Sequence, residues 1–171
     1  MEFHVRRARP TDAAPLARLA ESTFRATFAD MNSPENMEAY CAEAYGETVQ
    51  GREIADQAYD TFVAEHEGEL VGYGQLHWHP PGSDLDAQRP AEIKRLYVDA
   101  AWHGKGVAQA LMAEVFAAAE AREADKVWLG VWEHNPRAIA FYRKIGFVEI
   151  GEHVFQLGDD PQRDLVMVHQ P

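Results

Sequence analysis

The sequence predicts an α/β fold with a mixed sheet, in which strands first follow one another and later alternate with helices. Three observations support this prediction: short segments of alternating polarity, longer helical periodicities between them, and turn residues at the boundaries. The predicted order is β-α-α(α)-β-β-β-α-β-α-β-β, which is typical of a mixed sheet. The chain has 171 residues without an internal repeat or a low-complexity linker, so one domain over residues 1–171 is expected.

The first predicted elements are a short strand and a helical region. Residues 3–7 alternate in polarity, and Thr11 is the expected N-cap of the helix that follows. Ser33 and Pro34 begin a second helical region over residues 34–57, because serine caps a helix and proline suits its first position. The first helix presents one apolar face, made by Leu16, Leu19, Phe24 and Phe28. The second region is interrupted near one of two glycines, Gly46 or Gly51.

The middle of the chain predicts three strands and a helix. Residues 61–66 and 70–78 flank the turn Glu67-Gly68-Glu69, and residues 79–90, with three prolines, are a loop. A strand over residues 92–98 and a glycine-containing loop over residues 99–106 then precede an alanine-rich helix. The buried side of this helix is expected to carry Val107, Ala108, Leu111, Met112, Val115 and Ala119.

The last part predicts a strand over residues 126–131, a helix and two further strands. Proline after Asn135 opens the helix and Gly146 closes it, which is the usual asymmetry of helix ends. The final strands, residues 147–157 and 164–169, are expected to be antiparallel neighbours across a turn at residues 158–161.

Charge and composition exclude several classes of function. Sixteen basic against twenty-eight acidic side chains give a net charge of -12, which argues against a nucleic-acid partner. This charge favours the approach of a cationic small molecule, although many proteins are acidic for solubility alone. Cys41 is the only cysteine, so neither an intramolecular disulfide nor a cysteine-rich zinc site is expected. The chain has no signal-peptide pattern and no run of about eighteen apolar residues, which predicts a cytoplasmic protein without membrane contact.

The segment Val98–Met112, VDAAWHGKGVAQALM, is the most informative in the sequence. A strand ends and a helix begins within a few residues, and glycines allow the backbone to approach a ligand. The N–H groups at the helix start suit a pyrophosphate, with Lys105 adding charge at the rim. The spacing matches neither a Walker A loop nor a dinucleotide fingerprint, whose third glycine is replaced by Gln109. A tight turn that binds nothing is the alternative.

At this loop the sequence resembles the GNAT acetyltransferase superfamily. The family signature Gln/Arg-x-x-Gly-x-Gly/Ala is read as HGKGVA at residues 103–108, with histidine in place of glutamine or arginine. A second family block is Asn135 followed by AFYRKIGF at residues 140–147. The resemblance implies a mostly antiparallel sheet of six to seven strands with helices on both faces. It also implies acetyl-CoA as co-substrate, admitted where the strands around Val98 and Leu129 splay apart.

The resemblance also implies roles for individual residues. The backbone of three strand residues would pair with the pantetheine arm: Leu96, Tyr97 and Val98. The loop amides would hold the pyrophosphate: His103, Gly104, Lys105, Gly106, Val107 and Ala108. Asn135 would contact the coenzyme, and Tyr142 would lie beside the thioester sulfur.

A narrower resemblance concerns the acceptor. Segments 32–37 with Tyr40, 129–135, 153–155 and 158–160 are similar to the PaiA-type branch, whose members acetylate polyamines such as spermidine and spermine. This implies a small polyamine acceptor. Three alternatives remain: a protein or peptide amine, a non-catalytic acetyl-CoA-binding regulatory module, and a purely structural α/β module.

Acetyl transfer to an amine requires a base, an acid and a polarised carbonyl. An alkylamine with a pKa of about 10.4 must lose a proton before it attacks. Glu92, on the strand that leads into the coenzyme site, is the first candidate base, and Glu133 and His134 are the next. Tyr142 is the predicted general acid, since a phenol with a pKa of about 10 can protonate the thiolate. The alternatives are a solvated strand residue for Glu92 and an ordinary core residue for Tyr142.

A polyamine pocket should combine carboxylates with aromatic surfaces. The candidate lining residues are Phe28, Glu35, Glu38, Tyr40, Trp78, Trp132 and Glu133. His77 and His79 lie two apart on a strand and face the same way, but no third ligand is apparent in the sequence, so no metal is expected. They could line the amine pocket instead. The predicted partner is a small-molecule amine, and a homodimer remains open.

Overall fold

The computed structural model describes residues 2–80 and 85–169. Its strands are His4–Arg7 (β1), Tyr59–His66 (β2), Glu69–Trp78 (β3), Pro90–Val98 (β4), Lys126–Trp132 (β5), Val148–Leu157 (β6) and Asp160–His169 (β7). Its α-helices are Ala13–Phe28 (α1), Pro34–Ala44 (α2), Glu47–Ala55 (α3), Val107–Ala121 (α4) and Pro136–Lys144 (α5). Residues 81–84 of the predicted loop lie outside the described residues.

The strands form one seven-stranded sheet in the order β1-β2-β3-β4-β5-β7-β6. Within the described ranges, β4 and β5 are the one parallel pair of neighbours, and the other pairs are antiparallel. The pairing of β4 with β5 covers only Pro90–Glu92 and Lys126–Trp128. Beyond these residues the two strands separate, which leaves a cleft in the centre of the sheet. The predicted mixed, mostly antiparallel sheet with a splayed central pair is therefore confirmed.

Hydrophobic residues cover both faces of the sheet. On one face, α4 packs through Leu111 and Val115, which are fully buried. On the other face, α1 and α2 pack through a second cluster that includes Leu16, Phe24 and Met37. Helices thus cover both faces, as the sequence predicts. No helix in the described ranges is long and apolar enough to cross a membrane.

The start of α1 differs from its prediction, because Thr11 is not the N-cap. The chain makes a short 3-10 turn over Pro10–Asp12, and α1 begins only at Ala13. The carboxylate of Asp12 accepts a hydrogen bond from the N–H of Arg9 at 2.7 Å and two more from the guanidinium of Arg6. These bonds from Arg6 hold the pKa of Asp12 below its usual value. Asp12 is thus bound by Arg6 of β1 and by the N–H of Arg9 directly before the point where α1 starts.

The structure also locates two other element boundaries that the sequence left open or placed differently. The helical break falls at Gly46, whereas Gly51 lies inside α3, close to Ala13. The last hairpin turns at Gly158 and Asp159, so β7 begins four residues earlier than expected. Pro161 is accepted in β7 because it pairs only with β6, beyond the end of the β5 ladder at Asp164.

Ser33 offers a first test of the fold. Its hydroxyl accepts a hydrogen bond from the N–H of Asn36 at 3.1 Å and so caps α2. We expect Ser33→Ala to lower the free energy of unfolding by about 1 kcal/mol, measured by urea denaturation. Ser33→Asp, which keeps a capping oxygen, should stay within a few tenths of a kcal/mol of the parent protein. Equal losses in both variants would contradict the capping role.

Candidate active site

Two cavities meet in the cleft between β4 and β5. We call the larger one, of about 500 Å³, the outer cavity. It is lined from α1, the end of β4, the following loop and α5. The smaller one, of about 220 Å³, is called the inner pocket, and it lies between α1, α2 and the splayed strands. The cavities share five lining residues, Leu96, Tyr97, Asn135, Ala138 and Tyr142. Molecules in the two cavities would therefore meet beside Tyr142.

The edge of β4 that faces β5 is open along the outer cavity. Leu96, Tyr97 and Val98 pair with Gly74, Tyr73 and Gly72 of β3 on one side. On the other side, the ladder to β5 has already ended at Glu92. All three residues line the outer cavity. A strand edge of this kind offers backbone groups to an extended ligand that carries amides.

The loop before α4 has the backbone that a phosphate site requires. Gly104 and Gly106 have φ values of 75° and 84°, in the left-handed region that glycine reaches without strain. Gly106 precedes the 15-residue helix α4, whose first N–H groups are available to an anion. Ala108 is half-buried and lines the outer cavity, which corrects its expected place on the buried side of the helix. The side chain of Val107 is fully buried in the core.

His103 and Arg137 form a contact that the sequence did not predict. His103 Nε2 lies 2.8 Å from the carbonyl oxygen of Val98, so this nitrogen donates its proton. His103 Nδ1 then accepts a hydrogen bond from the guanidinium of Arg137. Both residues line the outer cavity. Arg137 thus brings a fixed positive charge to the loop, whereas the ammonium of Lys105 lies over the ring of Trp102.

Tyr142 is held by the amphipathic helix α5. Asn135 caps this helix by accepting a hydrogen bond from the N–H of Ala138 at 3.3 Å. The ring of Tyr142 packs against Phe141 and Phe147 at centroid distances of 5.5 Å. Burial raises the pKa of the Tyr142 phenol above its ordinary value. The phenol therefore stays protonated throughout the neutral pH range.

Glu92 lines the inner pocket and is the last residue of β4 that pairs with β5. Its Oε1 lies 2.9 Å from His79 Nε2 and 3.8 Å from His77 Nδ1. Burial alone would raise the pKa of Glu92, but the hydrogen bond from His79 and the nearby His77 outweigh it, so the pKa lies below its usual value. The carboxylate is therefore ionised at neutral pH.

The structure corrects two expectations about His77 and His79. Neither residue is among those that line the inner pocket, because both stand behind Glu92, and His77 stacks on Tyr59. The expectation that a third ligand is missing was also wrong. One ligand atom from each of His77, His79 and Glu92 lies within 4.8 Å of the others. The sequence did not reveal this set because β3 and β4 are joined by a long loop.

Aromatic rings form most of the wall of the inner pocket. Phe28 stands 4.7 Å from Trp132 and 6.0 Å from Phe155, between ring centroids. Tyr40 stands 5.5 Å from Phe155. Three of the predicted lining residues, Phe28, Tyr40 and Trp132, are thus brought together here.

Four other predicted lining residues are not brought into the inner pocket. Glu35 is exposed on α2, and Glu38 is paired with Arg25 on the surface. Glu133 is paired with Arg163, while the indole N–H of Trp78 donates to Asp60. The three glutamates lie toward the surface, whereas Trp78 packs against the main core outside the pocket lining. His134 lines the outer cavity instead.

Two buried charged residues of the inner pocket were missed by sequence reasoning. Arg95 is buried and donates to Glu53 at 2.8 Å and to Gln75 at 2.9 Å, so its charge is already compensated. Asp164 on β7 is also buried, 7 % exposed, and lines the pocket. No local pattern marks either residue, because each enters the site through strand pairing with residues far away in sequence.

Comparison with known proteins identifies a matching protein family. Residues 21–147 match the model of the Acetyltransferase (GNAT) family. An uncharacterized N-acetyltransferase of Mycobacterium tuberculosis is 35 % identical over 160 residues, which cover 94 % of this chain and 98 % of that protein.

Two more distant matches complete the comparison. A spermine/spermidine N(1)-acetyltransferase of Bacillus subtilis is 27 % identical over 88 residues, 51 % of this chain and 58 % of that protein. The crystal structure of a PaiA N-acetyltransferase from Thermoplasma acidophilum in complex with coenzyme A superposes with a TM-score of 0.81. It is 20 % identical and covers the whole of both chains, so it shows the same fold.

Proposed function

The chain belongs to the GNAT acetyltransferase family and is an N-acetyltransferase, and from this premise we propose that it transfers acetyl from acetyl-CoA to a primary amine of a small polyamine. The observation that carries this proposal is the junction of the two cavities at Tyr142. Direct attack requires only that the amine and the thioester meet in one place. The outer cavity would hold the coenzyme, and the inner pocket would hold the acceptor.

The outer cavity supplies the groups that a coenzyme requires. The open edge of β4 at Leu96–Val98 would pair with the pantetheine amides, and the N–H groups before α4 would bind the pyrophosphate. Arg137 would add a positive charge beside that anion. Asn135 stands at the junction, where the thioester would end.

The chemistry follows from the groups at the junction. The acceptor enters as an ammonium ion, and Glu92, which lines the inner pocket beside the junction, would take its first proton through water. The neutral nitrogen attacks the thioester carbon, whose oxygen a backbone N–H of β4 would stabilise. The carbon–sulfur bond then breaks, and Tyr142 donates its proton to the departing thiolate. The second amine proton restores the phenol, so the reaction releases one proton overall.

The inner pocket supports a small cationic acceptor. Its volume of about 220 Å³ lies below the range of roughly 300–1,000 Å³ that is usual for drug-sized ligands. Its aromatic wall suits methylene chains and ammonium groups. The net charge of -12 would attract a polycation, and the Bacillus subtilis relative is a spermine/spermidine acetyltransferase.

An acceptor panel tests this proposal. The purified protein would be supplied with acetyl-CoA and with spermidine, spermine, a peptide with a free N-terminus, or an arylamine. Release of free thiol reports turnover. Turnover with spermidine or spermine supports the proposal. Turnover only with the peptide or the arylamine would remove the polyamine acceptor and leave the acetyltransferase.

The loop glycine Gly106 gives a prediction for coenzyme binding. We expect Gly106→Ala to weaken the affinity for coenzyme A by about 10-fold, because a side chain disfavours φ of 84° by about 1–2 kcal/mol and the loop amides would shift. Isothermal titration calorimetry measures the dissociation constant. Gly151→Ala is a matched control, since Gly151 lies on β6 with nothing within 4 Å of an added Cβ. Unchanged affinity in Gly106→Ala would show that the coenzyme does not use this loop.

A further inference from the structure

The carboxylate of Asp164 is the one acidic group in the lining of the inner pocket with a buried oxygen that has no hydrogen-bond partner among the described residues. The other acid of the lining, Glu92, is held by His77 and His79. For Asp164, Oδ1 is buried and makes no hydrogen bond to any described residue. Oδ2 lies 3.4 Å from His153 Nε2, longer than an ordinary hydrogen bond. A buried carboxylate with an unused acceptor is costly unless a ligand supplies the donor.

The fold makes room for this carboxylate. Asp164 pairs with Trp132 of β5 on one side and with His153 of β6 on the other. On β5, Gly130 leaves the necessary space, because a Cβ there would lie 2.7 Å from His153 Nε2 and 3.2 Å from Asp164 Oδ2. The χ2 torsion of aspartate is broad, so the carboxylate can rotate within this space.

The place of Asp164 separates it from the reacting nitrogen. The reacting amine must lie where the two cavities meet, beside Leu96, Asn135 and Tyr142. Asp164 lines only the inner pocket and is absent from the outer cavity. Glu92 also lines only the inner pocket, so it would reach the attacking nitrogen through water, and a group bound directly at Asp164 would be a different nitrogen. The attacking nitrogen must be neutral, whereas a nitrogen that donates to a carboxylate is stabilised as a cation.

We propose that Asp164 is the cation-binding residue of the acceptor site and holds the second ammonium group of a diamine or polyamine while its first nitrogen is acetylated. Phe28 and Trp132 line the same pocket with ring centroids 4.7 Å apart, and Trp132 is the strand partner of Asp164, so the two rings would cover the methylene chain. This inference rests on the proposed acetylation of amines in the same pocket. It means that the Asp164 side chain makes the protein prefer acceptors that carry a second positive charge.

The test compares three acceptors of matched length in the parent protein and in Asp164→Asn. They are 1,4-diaminobutane, 4-amino-1-butanol and n-butylamine, of which only the first carries a second ammonium group. We expect the parent protein to prefer the diamine by about 10-fold or more in kcat/KM, since a charge-assisted hydrogen bond is lost with the others. Asp164→Asn should lower kcat/KM for the diamine by about 10- to 100-fold, chiefly through KM, and change the monoamines by about two-fold at most.

Asp159→Asn is the matched control, because Asp159 is exposed in the β6–β7 turn and carries the same charge. It should keep the preference for the diamine, and thermal unfolding of both variants reports whether they are folded. Equal losses for diamine and monoamines in Asp164→Asn would overturn the inference, since Asp164 would then act on the reacting nitrogen or on the fold. An unchanged preference for the diamine would overturn it as well. Failure of the parent protein to acetylate any amine would instead overturn the proposed function.

Discussion

Tyr142→Phe is expected to lower kcat by about 100-fold while the dissociation constant for coenzyme A changes by about two-fold at most. Donation of a proton in the transition state contributes roughly 10²–10⁴ to a rate, and phenylalanine keeps the ring but not the proton. Burial raises the pKa of Tyr142, so the donor form persists above the ordinary range of a phenol. In the parent protein, ionisation of Tyr142 should therefore not lower kcat up to about pH 10.

The control for this variant is Tyr73→Phe. Tyr73 is 2 % exposed, lies in the core beneath α1 and lines neither cavity. The variant therefore loses a tyrosine hydroxyl at a place that contacts neither the coenzyme nor the acceptor. Its kcat should remain within about two-fold of the parent value. Steady-state kinetics with saturating acetyl-CoA measure both variants. If Tyr142→Phe turns over at the parent rate, another group protonates the thiolate.

The parts of the site that lie close together in sequence could be predicted from the sequence. The loop at residues 103–108 depends on local backbone preferences, since glycine alone reaches positive φ at low cost. Tyr142 belongs to a helix whose start and end are marked by Asn135 and Gly146. The resemblance to the family then implied the role of the tyrosine within that helix. These predictions needed only interactions within about a dozen residues.

The parts of the candidate site that the sequence did not predict depend on contacts between segments that are far apart in the sequence. Asp164 reaches the inner pocket through the register of β7 with β5, and nothing near it in the sequence marks that role. Arg137 acquires its position through His103, on a different element. The error at Thr11 has a different origin, because Arg6 and Asp12 are only six residues apart and their ion pair was overlooked in favour of a simple capping preference. Strand register and contacts between distant elements are absent from any local pattern.

The two carboxylates of the inner pocket differ in their partners, and this difference separates their proposed roles. Glu92 lies behind the junction with two histidines on its outer side, which form a route by which a proton can leave. Asp164 has a single histidine, His153, at 3.4 Å from Oδ2, and its buried Oδ1 has no hydrogen-bond partner among the described residues. A general base must pass its proton on to another group, whereas a residue that binds an ammonium group must offer an acceptor oxygen that is not already used. Replacing each carboxylate by its amide should therefore have different effects: Asp164→Asn should act chiefly on KM for a diamine, and Glu92→Gln on kcat.

Glu92→Gln is expected to lower kcat by about 100-fold for every amine, with little change in KM. Loss of a general base typically costs roughly 10²–10⁴ in rate, and the effect falls on the chemical step that all acceptors share. The sign of the pH dependence follows from the lowered pKa of Glu92. In the parent protein kcat should fall only when the pH drops below the usual range of a glutamate, because the carboxylate is protonated there. This acidic limb should be missing in Glu92→Gln.

Glu120→Gln and Glu133→Gln complete the experiment. Glu120 is exposed on the outer side of α4, so its variant controls for the loss of one negative charge and should keep the parent profile. Glu133 pairs with Arg163 on the surface and does not line the inner pocket, so its variant should also retain kcat within about two-fold. A large loss in Glu133→Gln together with a normal rate in Glu92→Gln would transfer the role of base to Glu133. Equal pH profiles in the parent and in Glu92→Gln would show that the acidic limb belongs to another group.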